Sequence, residues 1–105
     1  MSIADIFKSK KKRLITKLKS LNLVPQAMLI SQFDGKNWLM NDDRVLMEIE
    51  LLLLQKVTLD AAFISLTRFQ LAKKQADSLG LRQESFFMNE YCQIYKLYID
   101  LLNSK

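Results

Sequence analysis

Apolar residues recur at steps of three and four along most of the chain, which is the spacing that lines one face of an α-helix. Ser2 and Asp5 have the spacing of a capping box at a helix start, and Asn22 followed by Pro25 is typical of a helix end. The pattern therefore predicts a first helix over residues 2–22, whose apolar stripe consists of Ile3, Phe7, Leu14, Leu18 and Leu21.

The segment that follows carries two competing patterns. Asp34-Gly35 stands between apolar runs, and both residues tolerate the positive φ angles of a type I′ turn. The dipeptide therefore predicts a β-hairpin over residues 29–40. The alternative interpretation is a short helix over residues 26–33 followed by a turn, and the sequence leaves both open.

Three further helices are predicted from the remaining apolar stripes and their flanking signals. The first begins at Asn41 or Asp42, since either side chain can cap a helix start. Thr58 is a second N-cap, which predicts a bend just before it and a new helix after it. Gly80 suits the left-handed residue that ends this helix, and the last helix is expected over residues 83–103.

Composition supports a mainly α-helical fold. The chain has 105 residues with two glycines and one proline, which is too few for many tight turns. Its content of 50% hydrophobic and 26% charged residues is typical of a folded protein. We expect a single domain, 1–105, built as a small bundle of four to five helices, with a basic N-terminal helix (2–22) and a helical core (42–103).

Positive charge is concentrated at the N-terminus. Residues 1–20 carry seven basic side chains and one acidic, a net +6, whereas residues 21–105 carry nine basic and ten acidic, a net −1. Like charges this close repel along a helix, so we expect an anionic partner: an acidic protein face, nucleic-acid phosphates or, less favoured, an anionic membrane surface. The alternative interpretation is a solvated basic face that only aids solubility, and the sequence leaves both open. The predicted contact residues are Lys8, Lys10, Lys11, Lys12, Arg13, Lys17 and Lys19.

The sequence offers little for catalysis or metal binding. It has no histidine, which removes the commonest general base and a common metal ligand. Cys92 lies among apolar helical positions, where a buried structural thiol is expected, and Asp42 with Asp43 lacks a third nearby oxygen ligand. We therefore predict a protein that is not an enzyme, with no catalytic residues, metal site, cofactor or small-molecule substrate.

The last predicted helix has two apolar stripes, which start at Phe87 and Met88 and lie about 100° apart around the helix. One stripe is enough to seal a helix onto a small core, so the second is expected to contact either another helix of this chain or a partner. Tyrosines suit an interface because they tolerate partial wetting. The predicted protein interface comprises Phe87, Met88, Tyr91, Tyr95, Tyr98, Ile99 and Leu102.

Residues 74–89 resemble a helix-turn-helix of the small phage-repressor type. The segment departs from that pattern at two positions that are polar here, and its would-be recognition face carries Glu84, which phosphates repel. The resemblance implies a nucleic-acid-binding regulator, in which Lys8 to Lys19 contact phosphates and residues 72–88 read or clamp the duplex. The matching positions are Ala76, Leu79, Gly80, Leu81 and Phe86.

Taken together, the patterns favour a small regulator or adaptor that acts by protein–protein interaction. Its two contact surfaces would be the apolar face of the C-terminal helix and the basic N-terminal helix. Self-association as a homodimer through residues 87–102 is one expected form of contact. A single cysteine and the lack of a secretory signal pattern predict a cytoplasmic protein. The nucleic-acid-binding regulator is the alternative.

Overall fold

Five helices make up most of the described part of the protein. The structure is a computed structural model that describes residues 10–35, 38 and 40–104. The helices are α1 (Lys10–Ser20), α2 (Val24–Ser31), α3 (Asp42–Leu54), α4 (Leu59–Ser78) and α5 (Arg82–Asn103). The described residues contain no strand, so the predicted mainly α-helical bundle is confirmed.

Helix α1 ends where the sequence predicts an end, because Asn22 adopts the left-handed conformation with a φ of 61°. The backbone amide of Leu23 then donates to the carbonyl of Leu18 at 2.8 Å, which closes the last turn. Leu14 and Leu18 are buried and anchor the helix on the core. The predicted helix start and the first part of the apolar stripe, at residues 2–9, lie outside the described residues.

The predicted β-hairpin over residues 29–40 is wrong, because its first part is helical. Helix α2 has Pro25 in its first turn, where the missing N–H would have had no intrahelical acceptor. Ala27 and Ile30, three residues apart, are buried on one helical face. The alternative interpretation, a short helix over residues 26–33, is therefore correct, although the helix spans Val24–Ser31.

Gly35 permits a close approach rather than a type I′ turn. Neither Asp34 nor Gly35 has the positive φ that such a turn requires. A Cβ atom at Gly35 would overlap the carboxylate of Asp42, so the position suits a residue without a side chain. The carbonyl of Gly35 accepts from the amide of Trp38 at 2.9 Å, and the Trp38 ring packs edge-on against Phe33.

A sharp bend separates α3 from α4, as the N-cap signal at Thr58 predicts. Lys56 is left-handed with a φ of 53°, and the amide of Val57 donates to the carbonyl of Leu52 at 3.1 Å. The hydroxyl of Thr58 accepts from the amide of Ala61 at 3.2 Å, which caps α4. The two helices are therefore separate elements with a fixed junction.

Helices α4 and α5 form an antiparallel hairpin. Gly80 is left-handed with a φ of 70°, and the amide of Leu81 donates to the carbonyl of Ala76 at 2.8 Å, so the predicted C-terminal cap is confirmed. The ring of Phe69 stacks on that of Tyr91 with centroids 5.1 Å apart. These residues lie equally far before and after Gly80, which is the pairing expected of antiparallel helices.

Helix α5 is the central element of the bundle. Helix α4 packs chiefly against α5, whereas α2 and α3 also contact α5 and are in turn covered by α1. The buried hydroxyl of Tyr98 donates to the carbonyl of Val57 at 2.7 Å, which ties α5 to the bend between α3 and α4. The side-chain amide of Gln26 donates to the carbonyl of Ser104 at 2.5 Å, which ties α2 to the end of α5.

Candidate functional site

An apolar groove opens where α1 and α3 end side by side. Both helices are followed by left-handed residues, Asn22 and Lys56, at which the chain turns away. The groove has a volume of about 380 Å³, within the range of pockets that hold ligands or partner side chains. Its lining consists of Leu18, Leu21, Leu23, Leu53 and Leu54, with Lys17 and Lys56 beside them.

The leucines give the groove a covered floor and exposed walls. Leu18 is fully buried, and Leu23 and Leu53 are half-buried, so these three form the floor. Leu21 and Leu54 form the walls and are 59% and 57% exposed. A partner that covers the walls would gain about 25 cal/mol for each Å² of apolar surface removed from water.

The charged residues at and around the groove are mainly basic. The ammonium of Lys17 lies 3.4 Å from a carboxylate oxygen of Glu50, which partly neutralises it. Lys56 is exposed and forms no ion pair with another described residue. Arg13 and Lys19 are exposed elsewhere on α1. The groove therefore combines an apolar interior with a positively charged rim.

The residues predicted to bind an anionic partner differ in how exposed they are and in what they contact. Lys8 lies outside the described residues, and the other six lie on α1. The ammonium of Lys11 donates to the carbonyl of Phe33 at 2.8 Å, so this side chain helps to hold α1 against the segment that follows α2. Lys10 and Lys17 are half-buried, and the exposed members are Lys12, Arg13 and Lys19.

The residues predicted as a protein interface on α5 are mostly covered by the chain itself. The rings of Tyr91 and Tyr95 lie 5.1 and 5.5 Å from the ring of Phe69 on α4. Both apolar stripes of α5 are thus covered within the chain over most of their length, except at Phe87. Tyr98 and Ile99 are buried, Met88, Tyr91, Tyr95 and Leu102 are half-buried, and Phe87 is exposed.

Residues 72–88 form the turn end of the α4–α5 hairpin. A helix-turn-helix crosses its two helices at about 90–120°. Here the helices run antiparallel and stay packed together beyond the turn, as the stacking of Phe69 on Tyr91 shows. The segment therefore lacks the crossed helices that the resemblance implies.

A second pocket, called here the Glu90 pocket, lies at the opposite end of α3, between its first turn and the first turns of α5. Its volume is about 260 Å³. Glu90 is only 3% exposed and forms no hydrogen bond or ion pair with another described residue. Burial raises the pKa of Glu90, and the charge of Arg44 partly opposes this rise. The remaining lining consists of Met40, Asn41, Arg44, Phe86, Phe87 and Tyr91.

Comparison with known proteins adds no relative. No family model matches the chain, and no curated protein or solved structure matches it significantly. Within residues 10–35, 38 and 40–104, no helix is long and apolar enough to cross a membrane, and no three His, Cys, Asp or Glu side chains are grouped to hold a metal ion. The function is therefore inferred from the geometry of the chain itself.

Sequence reasoning missed both the groove and Glu90. Ile94, Leu97 and Leu101 follow Glu90 at the fourth, seventh and eleventh positions, so Glu90 heads a core-facing apolar stripe. A carboxylate in such a position is a signal that could have been found. The groove has no comparable signal, because residues 17–23 and 53–56 meet only through the packing of α1 on α3.

Cys92 is buried, as its apolar neighbours predict, and is 4% exposed. Burial raises the pKa of its thiol and so lowers the fraction of reactive thiolate. We expect a disulfide reagent to modify native protein at about pH 8 roughly tenfold or more slowly than protein unfolded in urea. Absorbance of the released thiolate measures both rates, and equal rates would contradict the buried placement of Cys92.

Proposed function

We propose that this protein is a non-enzymatic regulator or adaptor that binds an acidic, amphipathic helix of a protein partner in the groove between α1 and α3. The observation that carries the proposal is that two exposed leucines, Leu21 and Leu54, line the same groove as Lys17 and Lys56. The protein-interaction role expected of the basic N-terminal helix is thereby assigned to one defined surface.

The groove has the chemistry of a helix-binding groove. An amphipathic helix docks by inserting apolar anchors from one face into an apolar groove. Leu18, Leu23 and Leu53 supply the floor for such anchors, and acidic residues beside the anchors would meet Lys17 and Lys56. The leucines would then contribute most of the affinity, whereas the lysines would set the encounter rate and the orientation.

Nucleic acid and membrane surfaces fit the groove less well. Phosphate binding uses exposed lysine and arginine side chains and gains nothing from leucine walls. A duplex bound along α1 would leave Leu54 in water. An anionic membrane surface shares the chemistry of leucine and lysine, but it is flat, whereas the groove is concave. An acidic helix uses both the walls and the rim.

A displayed peptide library tests this assignment. The peptides are about 15–20 residues long, with leucine along one helical face and glutamate or lysine at random elsewhere, and they are selected on the full chain. We expect the selected peptides to be enriched in glutamate and to bind more weakly as salt increases. Leu54→Glu should weaken their binding roughly tenfold or more, because it replaces an apolar wall with a charge of the same sign as the peptide.

Leu71→Glu is the matched control for this experiment. Leu71 is 58% exposed, almost the same as Leu54 at 57%, but it lies on α4 and does not line the groove. Peptide binding should be unchanged in this variant. Enrichment of lysine, or equal loss in both variants, would contradict the proposal. Displacement of the peptides by mixed-sequence DNA, with a steep salt dependence and a requirement for Arg13 and Lys19, would favour the nucleic-acid-binding regulator.

A further inference from the structure

Glu90 is 3% exposed as a residue, and its carboxylate forms no hydrogen bond or ion pair with another described residue. No side-chain oxygen of the described residues is both sealed from solvent and without a hydrogen-bond partner, so this carboxylate reaches solvent through the opening of the Glu90 pocket. A carboxylate that keeps only a narrow contact with solvent is stabilised by a positively charged or hydrogen-bonding partner. The charge of Arg44 acts on Glu90, but Arg44 is exposed and forms no ion pair with it. The pocket is therefore complementary to a positively charged group that enters from outside.

Aromatic rings supply the apolar surfaces around this carboxylate. The rings of Phe86 and Phe87 meet at 79° with centroids 5.7 Å apart, so they form two nearly perpendicular walls. Tyr91 borders the same pocket and is supported from behind by the stacked ring of Phe69. Aromatic rings give apolar contact to an alkyl chain, and their faces also attract cations.

The geometry of α5 fixes this arrangement. Glu90 follows Phe86 by four residues and Phe87 by three, and Tyr91 follows Phe87 by four. Residues at these separations are neighbours on a helix surface. Met40 and Arg44 close the pocket from the side of α3. The carboxylate and the rings are therefore held together by local helical structure rather than by a mobile loop.

We propose that the Glu90 pocket binds an alkylammonium ion, with its ammonium group at the carboxylate of Glu90 and its methylene chain against Phe86 and Phe87. Butylammonium, for example, has five non-hydrogen atoms. At about 30 Å³ for each, the volume of one water molecule, it fills about 150 Å³, and the pocket of about 260 Å³ can hold it. The site is independent of the proposed function of the groove. Arg44 and Leu54 mark the two sites and lie roughly 15 Å apart along α3.

Titration of the isotope-labelled full chain with butylammonium chloride, followed by NMR, tests the proposal. We expect the amide signals of residues around the pocket to shift with a dissociation constant on the order of millimolar, which is usual for so small a ligand. Butan-1-ol, which has the same chain without charge, should bind roughly tenfold more weakly or less.

Variants of two glutamates distinguish binding at the Glu90 pocket from nonspecific attraction of the cation to acidic residues of α5. Glu90→Gln should weaken butylammonium binding roughly tenfold or more and should fold, since it keeps the shape and removes a buried charge. Glu84→Gln is the matched control, because Glu84 is exposed on the same helix and outside the pocket. Equal binding of the ammonium and the alcohol, or no effect of Glu90→Gln, would overturn the proposal.

A variant of Arg44 is expected to strengthen butylammonium binding, whereas Glu90→Gln is expected to weaken it. Arg44→Gln removes a cation that competes for Glu90, so butylammonium should bind more tightly to this variant. Weaker binding would show that Arg44 supports the ligand site rather than competing with the ligand for Glu90. A loss of stability that disappears in the Glu90→Gln background would show that Arg44 pairs with Glu90. Either result would overturn the proposal.

Peptides distinguish the source of the ammonium group. A short peptide with one lysine between glycines is compared with the same peptide carrying norleucine. Tighter binding of the lysine peptide than of butylammonium would identify a lysine side chain of a protein as the ligand, and weaker binding would identify a free amine. Equal binding of the two peptides would show that charge plays no part and would overturn the proposal.

Discussion

Tyr98→Ala is expected to lower the free energy of unfolding by about 3–5 kcal/mol, the usual range for truncating a large buried aromatic side chain. Tyr98 is 1% exposed and belongs to the core of the bundle. The loss would be a large part of the roughly 5–15 kcal/mol that stabilises a typical domain. Urea unfolding followed by circular dichroism measures it, with an unchanged dependence on urea confirming that only stability has changed.

Tyr98→Phe separates the contribution of the ring from that of the hydroxyl. The hydroxyl donates to the carbonyl of Val57 at 2.7 Å and lies 3.3 Å from the carbonyl of Leu52. Burial raises the pKa of Tyr98, which keeps the donating proton in place. The loss of this bond should cost about 1–2 kcal/mol. Phe87→Ala is the control and should cost much less, because Phe87 is 44% exposed.

These variants also test the interface predicted on α5. If Tyr98 bound a second copy of the chain rather than its own core, Tyr98→Ala would leave the monomer as stable as the parent protein. Light scattering would then report a smaller species without any change in unfolding. A large loss of stability with no change in mass would instead show that the tyrosine acts within the chain.

The sequence predicts helix ends well because the signals are local. The side chain of Asn41 caps α3 by accepting from the amide of Asp43, and the hydroxyl of Thr58 caps α4. Gly80 supplies the left-handed residue after α4. Each of these features needs only a few neighbouring residues. What covers the two stripes of α5 depends on distant helices, so the pattern predicted the stripes but not their partners.

The hairpin error has a physical cause in the packing of α2. The Asp34-Gly35 dipeptide favours a hairpin only if the residues before it are free to form a strand. Ala27 and Ile30 are buried on one face of α2, and this burial outweighs the turn signal. Gly35 is needed for its small size next to Asp42, which a pattern of turn residues cannot distinguish from a need for positive φ.

Only part of the charge of the candidate site could be predicted from the sequence, because Lys17 belongs to the predicted basic helix and Lys56 does not. The run of basic residues on α1 is enough by itself to indicate an anionic partner. The apolar half of the groove could not be predicted, because Leu21 and Leu54 are far apart in sequence and each, taken alone, is an ordinary surface leucine. Their proximity follows from two helix ends that stop at the same place, at Asn22 and Lys56.

Leu14→Ala is expected to lower the free energy of unfolding by about 2–5 kcal/mol, the range for a buried leucine in a tightly packed core. Leu14 is 1% exposed and is one of two buried residues that attach α1 to the bundle. Leu21→Ala is the matched control, because Leu21 is 59% exposed and its loss should cost roughly 0.5 kcal/mol or less. Hydrogen exchange of the α1 amides should rise in the first variant only.

The same pair of variants separates stability from binding. Leu21→Ala removes part of a groove wall, so it should weaken the binding of acidic peptides while the fold stays intact. Leu14 does not line the groove, yet Leu14→Ala increases the fraction of molecules in which α1 is detached, and apparent affinity falls with the fraction that remains competent. Unchanged peptide affinity in a Leu14→Ala protein with rapidly exchanging α1 amides would show that the acidic helix binds away from α1.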